Sequence, residues 1–387
     1  MAKKLSIADR ILNANSNKYA SRILDSTIYE IKEYHDMGNY MLNAIVSGSI
    51  FGGIPTGKLI EFSGDSSTGK SYLLINSLLF FVKNNPKNYV ILFESEGSIV
   101  KEKMEKSLSD NENDRFLTFP VKFHEDLHQQ TAEIIEMIKE LKAEDPNINF
   151  FYCLDSLGML SPRKQHENML KGKDVKVMTE PQLIKAYFNM ITMPFAEFDV
   201  ACAYTNHIYA DFMNAGYGRV AEVDKKKTKG GQGAEYSPDV KIRLLKAKTR
   251  DQEGVGANDL YVPKTSDGNG IVTGTKVKII PTKSRFIAEK ISKVELDIRF
   301  KVGMDRYSGL WQFLENHKLV KRVKGGSKGS KISIPEIGFE VFSSELKGKK
   351  KSEFWTRELL EYVDKKFKFF YELETQKDQT LDDEIGV

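Results

Sequence analysis

Eight consecutive residues carry the strongest chemical signal in this sequence: Gly64, Asp65, Ser66, Ser67, Thr68, Gly69, Lys70 and Ser71. They match the phosphate-binding P-loop pattern G-x-x-x-x-G-K-[ST] at every fixed position. The glycines let the backbone curl until successive amides point at phosphate oxygens. Lys70 is placed to reach the β- and γ-phosphates of a nucleotide, and the Ser71 hydroxyl to hold Mg²⁺. A helix beginning at the loop's end would add a partial positive charge at its N-terminus.

A P-loop needs a second anchor for its metal, and Asp155 supplies one. It ends the apolar run Phe150–Leu154, so its carboxylate stands at the mouth of a buried strand. Turnover would further require a group to orient or deprotonate water. Glu94 and Glu96 end another strand, and alternation would point both to one face with Ser95 turned away. Either is chemically apt as a general base, and the spacing does not choose between them.

Charge is clustered rather than spread. Arg163, Lys164, Lys171, Lys173 and Lys176 fall between Met159 and Met178. Arg219, Lys225, Lys226, Lys227 and Lys229 fall between Ile208 and Lys229. Lys and Arg neutralise nucleic-acid phosphates without regard to sequence. Tyr209, Phe212 and Tyr217 are suited to stack on bases. His207 stands just past the apolar run Ala201–Thr205, and Lys283 and Arg285 follow another apolar strand.

The elements that must carry these groups can be read from periodicity. Strand-length apolar runs at Lys58–Ser63, Tyr89–Phe93, Phe150–Leu154 and Val200–Thr205 alternate with helical stretches at Ser71–Lys83, Leu127–Lys142 and Gln182–Phe198. That order predicts an α/β fold with a mainly parallel twisted sheet covered on both faces. Thr179 and Gln182 have capping-box spacing, with Pro181 in the first turn. Val240–Lys246, Thr275–Pro281 and Lys293–Phe300 alternate like antiparallel strands, and 251–274 reads as an exposed hairpin insertion. Ile23, Leu24, Ile28 and Ile31 recur at helical spacing and predict an amphipathic helix, packed on its own domain or on a neighbouring subunit. The expected divisions are an N-terminal segment 1–38, a core 39–303, a small C-terminal region 304–371 and an acidic disordered tail 372–387.

Composition excludes several classes. Of 387 residues, 40% are hydrophobic and 11% aromatic, too many for a largely disordered chain. Two cysteines, Cys153 and Cys202, cannot build a disulfide scaffold; in apolar runs they read as buried thiols of a cytosol-like compartment. No apolar run is long enough to span a membrane, and Met1–Tyr19 lacks the apolar core of a signal peptide. The net charge of +4 is too small to imply nucleic acid by itself, so the clusters decide that question.

The ordered set of motifs resembles the RecA superfamily, in particular the UvsX recombinases of T-even-like phages. It runs through Ser47-Gly48, Gly52-Gly53-Ile54-Pro55-Thr56-Gly57, the P-loop, Glu94-Ser95-Glu96, Leu154-Asp155-Ser156-Leu157-Gly158, Thr205-Asn206-His207 and Gly230-Gly231. Glu235-Tyr236-Ser237-Pro238-Asp239 and Thr282-Lys283-Ser284-Arg285 extend it, from roughly residue 16 to residue 317. The resemblance implies a RecA-like ATPase core with an N-terminal oligomerisation segment, and a DNA-dependent ATPase that uses ATP and Mg²⁺. It makes Glu96 the catalytic glutamate and His207 the γ-phosphate switch. It makes the two basic segments mobile DNA-facing loops, and it sends Lys283 and Arg285 to the ATP of the next subunit. Implied partners are single- and double-stranded DNA, further copies of the chain in a head-to-tail filament, a single-strand-binding protein and a recombination mediator, with no membrane. The implied activity is strand exchange in recombination, replication and repair. A ring-forming helicase or translocase, or a non-catalytic filament or mediator protein, are the alternatives. Where the family usually places an aromatic residue against adenine the sequence has Lys103, so no adenine contact is carried over. The C-terminal basic stretches Lys318–Lys331 and Lys347–Lys351 match weakly; by charge they suit a secondary duplex-DNA site.

Overall fold

A computed structural model describes residues 6–172, 179–210, 226–246, 260–261, 274–287, 291, 294–299, 303–323, 331–342 and 351–371. The expected architecture is present. The main strands are β1 (Leu59–Gly64), β2 (Asn88–Glu94), β3 (Phe116–Pro120), β4 (Asn149–Asp155), β5 (Ala201–Ala210), β6 (Lys226–Thr228), β7 (Val240–Lys246), β8 (Gly274–Lys283), β9 (Val294–Arg299) and β10 (Gly303–Met304). Their order is β10-β9-β8-β7-β1-β5-β4-β2-β3, with β6 paired to β5. From β7 through β3 every neighbour is parallel. From β7 outward through β8, β9 and β10 the pairing is antiparallel. Val240–Lys246 is therefore the seam between the two modes, parallel on one side and antiparallel on the other.

Alternation along the central strands sorts side chains into two apolar layers. Phe151 and Cys153 face one layer, with Phe62, Leu74 and Phe81. Phe150, Tyr152 and Leu154 face the other, with Leu127, Phe188 and Phe195. The first layer is roofed by α1 (Tyr40–Ser47) and α2 (Lys70–Asn84), the second by α3 (His124–Glu144) and α4 (Glu180–Glu197). A C-terminal three-stranded sheet and a final helix, α5 (Arg357–Tyr371), follow. Leu359, Val363 and Phe367 of α5 join the first layer, so the C-terminal region shares the core's apolar cluster. Both cysteines are buried and free.

Several local expectations fail for identifiable reasons. The helix expected over Ile23–Ile31 is only a single 3₁₀ turn, Ile23–Asp25; Ile28 is buried while Leu24 is 95% exposed. The N-terminal helix lies earlier, at Ile7–Ala14, where Ser6 and Asp9 form a capping box. Tyr19 and Lys18 reach Glu197, and Lys32 pairs with Asp199, so polar ties to α4 and the turn after it hold the intervening chain. Thr179 makes no side-chain cap, because its backbone is already helical and α4 begins at Glu180. Ile208–Lys229 is not simply loop: its ends form a hairpin, with Tyr209 opposite Lys227. In Met159–Met178, residues Arg163–Leu170 form a helix. Among the described residues no helix is long and apolar enough to cross a membrane.

Candidate functional site

The P-loop leaves the carboxyl end of β1 and enters α2, as its spacing requires. Only glycine fits position 64: a Cβ there would come within 2.6 Å of the Leu244 carbonyl oxygen and 2.7 Å of Thr68 Oγ1. Gly69 holds a left-handed φ of 92°, open to glycine at little cost. Thr68 Oγ1 donates to the Asp65 carbonyl and pins the curl, while Ser66 and Ser67 stay exposed. Lys70 Nζ donates to the carbonyls of Gly64 and Asp65, each at 3.0 Å. Burial lowers the Lys70 pKa, and the carboxylates of Glu96, Asp155 and Asp65 pull it back up. The ammonium thus waits against its own loop, where a phosphate could take it over.

Ser71, near the start of α2, and the end of β4 meet at Asp155. Ser71 Oγ donates to Asp155 Oδ1 at 3.1 Å, and Thr205 Oγ1 donates to the same oxygen. Asp155 Oδ2 is buried and has no hydrogen-bond partner among the described residues. Burial raises the Asp155 pKa, the two hydroxyls lower it, and nearby Glu96 and Glu94 raise it again. A buried, under-satisfied carboxylate oxygen beside a serine hydroxyl is a hard oxygen donor set, and it fits Mg²⁺.

The two glutamates have different partners. β2 ends at Glu94, and the chain turns there. The Glu94 carboxylate accepts backbone N–H bonds from Glu96, Gly97 and Ser98, so it caps the turn. Ser95 crosses to the end of β4, donating to the Ser156 carbonyl and accepting from the Ser156 N–H. Glu96 faces the sheet's carboxyl edge. Its Oε1 accepts from Ser156 Oγ at 2.7 Å and pairs with His207 Nε2 at 2.9 Å. The His207 bond lowers the Glu96 pKa more than burial raises it, and Ser156 and Lys70 help. Glu96 is therefore an ionised carboxylate at neutral pH. Ser156 and Thr205 were legible only as motif letters, since short hydroxyl side chains acquire a role through what the sheet register sets beside them.

The remaining expected residues scatter. Lys164 and Lys171 are exposed on and just after the Arg163–Leu170 helix. Arg163 pairs with Asp126 and lies over the Phe123 ring, so it is engaged within the protein. Lys229 also turns inward, to Gly158, Leu160 and Glu180. The backbones of Lys226 and Lys227 lie in β6. Lys173, Lys176, Arg219 and Lys225 lie outside the described residues, as do most of 251–274, the tail 372–387 and most of the C-terminal basic stretches. Lys103 is exposed on the short helix Lys101–Glu105.

Lys283 and Arg285 sit far from the P-loop of their own chain. β8 runs antiparallel to β7, so its carboxyl end lies at the amino end of the parallel strands. Arg285 pairs with Asp239 at 3.1 Å, and Asp239 accepts from the N–H of Leu59, the first residue of β1. Lys283 Nζ donates to the Tyr236 carbonyl at 2.8 Å. At about 3.3 Å per residue, β1 separates this end from Gly64 by roughly 17 Å.

One buried charge pair belongs to none of the motifs. Glu61, wholly buried on β1, lies 3.4 Å from Lys241 on β7, which also pairs with Glu235 at 3.0 Å. An acid inside the apolar run Leu-Ile-Glu-Phe, one strand from a lysine in another such run, was the available signal.

This fold and site define a RecA-like P-loop core. No family model matches the chain. Individual proteins do. Over 333 residues, 86% of this chain and 76% of the relative, it is 26% identical to the recombination and repair protein of Enterobacteria phage T4. Over 322 residues, 78% of this chain and 83% of the relative, it is 23% identical to Protein RecA of Campylobacter jejuni. Protein RecA of Campylobacter fetus is 22% identical over 317 residues, 76% of this chain and 80% of its own length. The resemblance to RecA-superfamily recombinases thus extends over most of the chain.

Proposed function

We propose that this chain is an ATP-dependent DNA strand-exchange recombinase that forms helical filaments on single-stranded DNA, for homologous recombination, recombination-dependent replication and repair. The observation that carries this reading is the joining of the P-loop, Ser71–Asp155 and Glu96–His207 at one sheet edge, in a chain similar to a phage recombination and repair protein.

The chemistry assigns itself to side chains in turn. The amides of residues 64–71 and the Lys70 ammonium bind the triphosphate. Ser71 and Asp155 would hold Mg²⁺, which when bound neutralises phosphate charge. Glu96, ionised and aimed by Ser156 and His207, orients water and takes its proton. His207, bonded to that same carboxylate, registers whether the γ-phosphate is in place and sits at the base of the β5–β6 hairpin. Single-stranded DNA lies along the basic segments, contacted by Lys164, Lys171, Lys226 and Lys227.

Lys283 and Arg285 act in trans. They cannot reach their own nucleotide, but they lie at the opposite end of the sheet from it. Head-to-tail stacking would set them against the next subunit's phosphates. Such heterologous contacts build open helices. The Ile7–Ala14 helix, with Ile7 76% and Ile11 63% exposed, serves the same assembly as part of an oligomerisation segment 1–38. The core then spans 39–303 and the C-terminal region 304–371. Duplex DNA, a single-strand-binding protein and a mediator are the further partners, in the cytoplasm, which is that of the host cell if the protein is viral.

Negative-stain microscopy with a non-hydrolysable ATP analogue and single-stranded DNA tests this. Helical filaments are expected. Closed rings would favour a helicase or translocase, and no assembly would remove the filament reading.

A further inference from the structure

Lys229 belongs by sequence to the second basic segment, yet its surroundings are not those of a solvated phosphate ligand. Its ammonium donates to the Gly158 carbonyl at 2.9 Å and reaches that of Leu160 at 3.4 Å. It also pairs with Glu180 Oε1 at 2.8 Å. Gly158 and Leu160 stand where the first basic segment begins, and Glu180 opens α4 just beyond its end. One side chain therefore ties both ends of that segment.

The backbone of Lys229 is held as closely. Its N–H donates to the His207 carbonyl at 3.1 Å, and its own carbonyl accepts from Asn206 Nδ2 at 2.8 Å. His207 in turn presses on Gly158, where an added Cβ would lie 2.8 Å from His207 Cδ2. A shift of the His207 ring would therefore meet the piece of backbone that Lys229 holds.

A lone exposed ion pair contributes little. This one is different in kind, because the ammonium also satisfies two backbone carbonyls. His124, wholly buried, sets Nε2 at 3.5 Å from Glu180 Oε1. Burial raises the Glu180 pKa, but the interactions with His124 and Lys229 outweigh it and hold the carboxyl below its ordinary value.

We propose that Lys229 is a positioning residue that couples the Glu96–His207 pair to the two DNA-facing segments, and that it does not touch DNA phosphate. This rests on the reading of the chain as a DNA-dependent ATPase. Coupling of this sort transmits because a small displacement at His207 cannot be absorbed locally: its carbonyl, its ring and Asn206 all meet atoms that Lys229 fixes.

The test compares full-length protein with Lys229→Met and Lys229→Arg. ATP turnover is measured with and without single-stranded DNA, and DNA binding is measured across a salt series. Lys229→Met should lose roughly tenfold of the ratio between DNA-stimulated and DNA-free turnover, a size ordinary for coupling. Its log–log salt slope should match that of the unaltered protein. Lys229→Arg, which keeps charge and donors, should recover most of the ratio. A slope shallower by about 0.7, the mark of one phosphate no longer neutralised, overturns the proposal whatever the ratio does. So does an unchanged ratio in Lys229→Met, or no recovery in Lys229→Arg. Should thermal melting show Lys229→Met unfolded, Glu180→Gln carries the test, with a smaller loss of the ratio expected and no loss overturning the proposal. Absence of DNA stimulation in the unaltered protein is a distinct outcome: the functional reading then fails, and the role of Lys229 falls with it.

Discussion

At the scale of single residues, two neighbouring glutamates have been given opposite work by one turn of the chain. Glu96→Gln should retain nucleotide binding and slow hydrolysis by about 10² or more. Steady-state turnover beside equilibrium nucleotide binding checks this. Glu94→Gln should weaken the turn that places Glu96 while leaving the base itself intact, so its turnover should fall less. The reverse ranking would move the base to Glu94. The pH dependence follows from the lowered Glu96 pKa, caused first by its His207 bond. A carboxylate with a depressed folded pKa stabilises the protein above the ordinary carboxylate range, and that contribution is lost as pH falls through the folded pKa. Thermal melting of Glu96→Gln should therefore converge on that of the unaltered protein in acid. A constant gap down to the lowest accessible pH would mean the His207 bond contributes no linkage.

At the scale of elements, the seam strand β7 joins the parallel sheet to its antiparallel flank, and it carries a charge into the interior. Lys241 is only 3% exposed and faces Glu61, whose own pKa is raised chiefly by burial. Removing the cation alone strands that carboxylate. Lys241→Met should cost about 3–5 kcal/mol of unfolding free energy, read by urea titration. Adding Glu61→Gln to Lys241→Met should return part of that cost, because the uncompensated charge goes with it. The hairpin of β5 and β6 carries a second prediction. Neutralising Lys226 and Lys227 should flatten the salt dependence of single-stranded DNA binding, by about 0.7 in log–log slope for each phosphate they had neutralised. An unchanged slope would make these lysines a solvated face.

At the scale of the whole molecule, nucleotide chemistry and the Lys283–Arg285 pair occupy opposite ends of one sheet. On the proposed reading, a stack of subunits would close each triphosphate with its neighbour's cations, which a self-contained ATPase would not require. Mixed filaments reveal the difference. Glu96→Gln protein keeps its cations, and the Lys283→Ala/Arg285→Ala double variant keeps its glutamate. Combined on single-stranded DNA, they should turn over ATP above the sum of the two alone. No gain, with co-assembly confirmed separately, would make the pair structural. Cations supplied in trans accelerate phosphoryl transfer by roughly 10³ to 10⁵ in other systems, so the signal should be large.

The sequence by itself determined the P-loop, the alternation of strands and helices, and the position of Asp155 at a strand end. Each depends on residues close together in the chain, where backbone sterics and side-chain periodicity dominate. Spacing marks Glu94 and Glu96 without separating them, and the resemblance to the RecA superfamily chooses Glu96. Their different hydrogen-bond partners came from the turn after β2, where Ser95 reaches Ser156 at the end of the adjacent β4. The Ile23–Ile31 periodicity misleads because polar ties to Glu197 and Asp199, not an apolar stripe, hold that stretch. Lys229 reads in sequence as one more DNA-facing cation, because charge in a segment says nothing of where an ammonium points. Only the tertiary structure brought Gly158, Leu160 and Glu180 around it. Likewise, Lys283 and Arg285 could be seen as a basic pair, but their distance from Gly64 follows from β8 running against β7. The alternation of Val240–Lys246 and Thr275–Pro281 points to an antiparallel flank, but the register that sets Lys283 beside the amino end of β7 is settled by hydrogen bonding and packing between segments far apart in sequence.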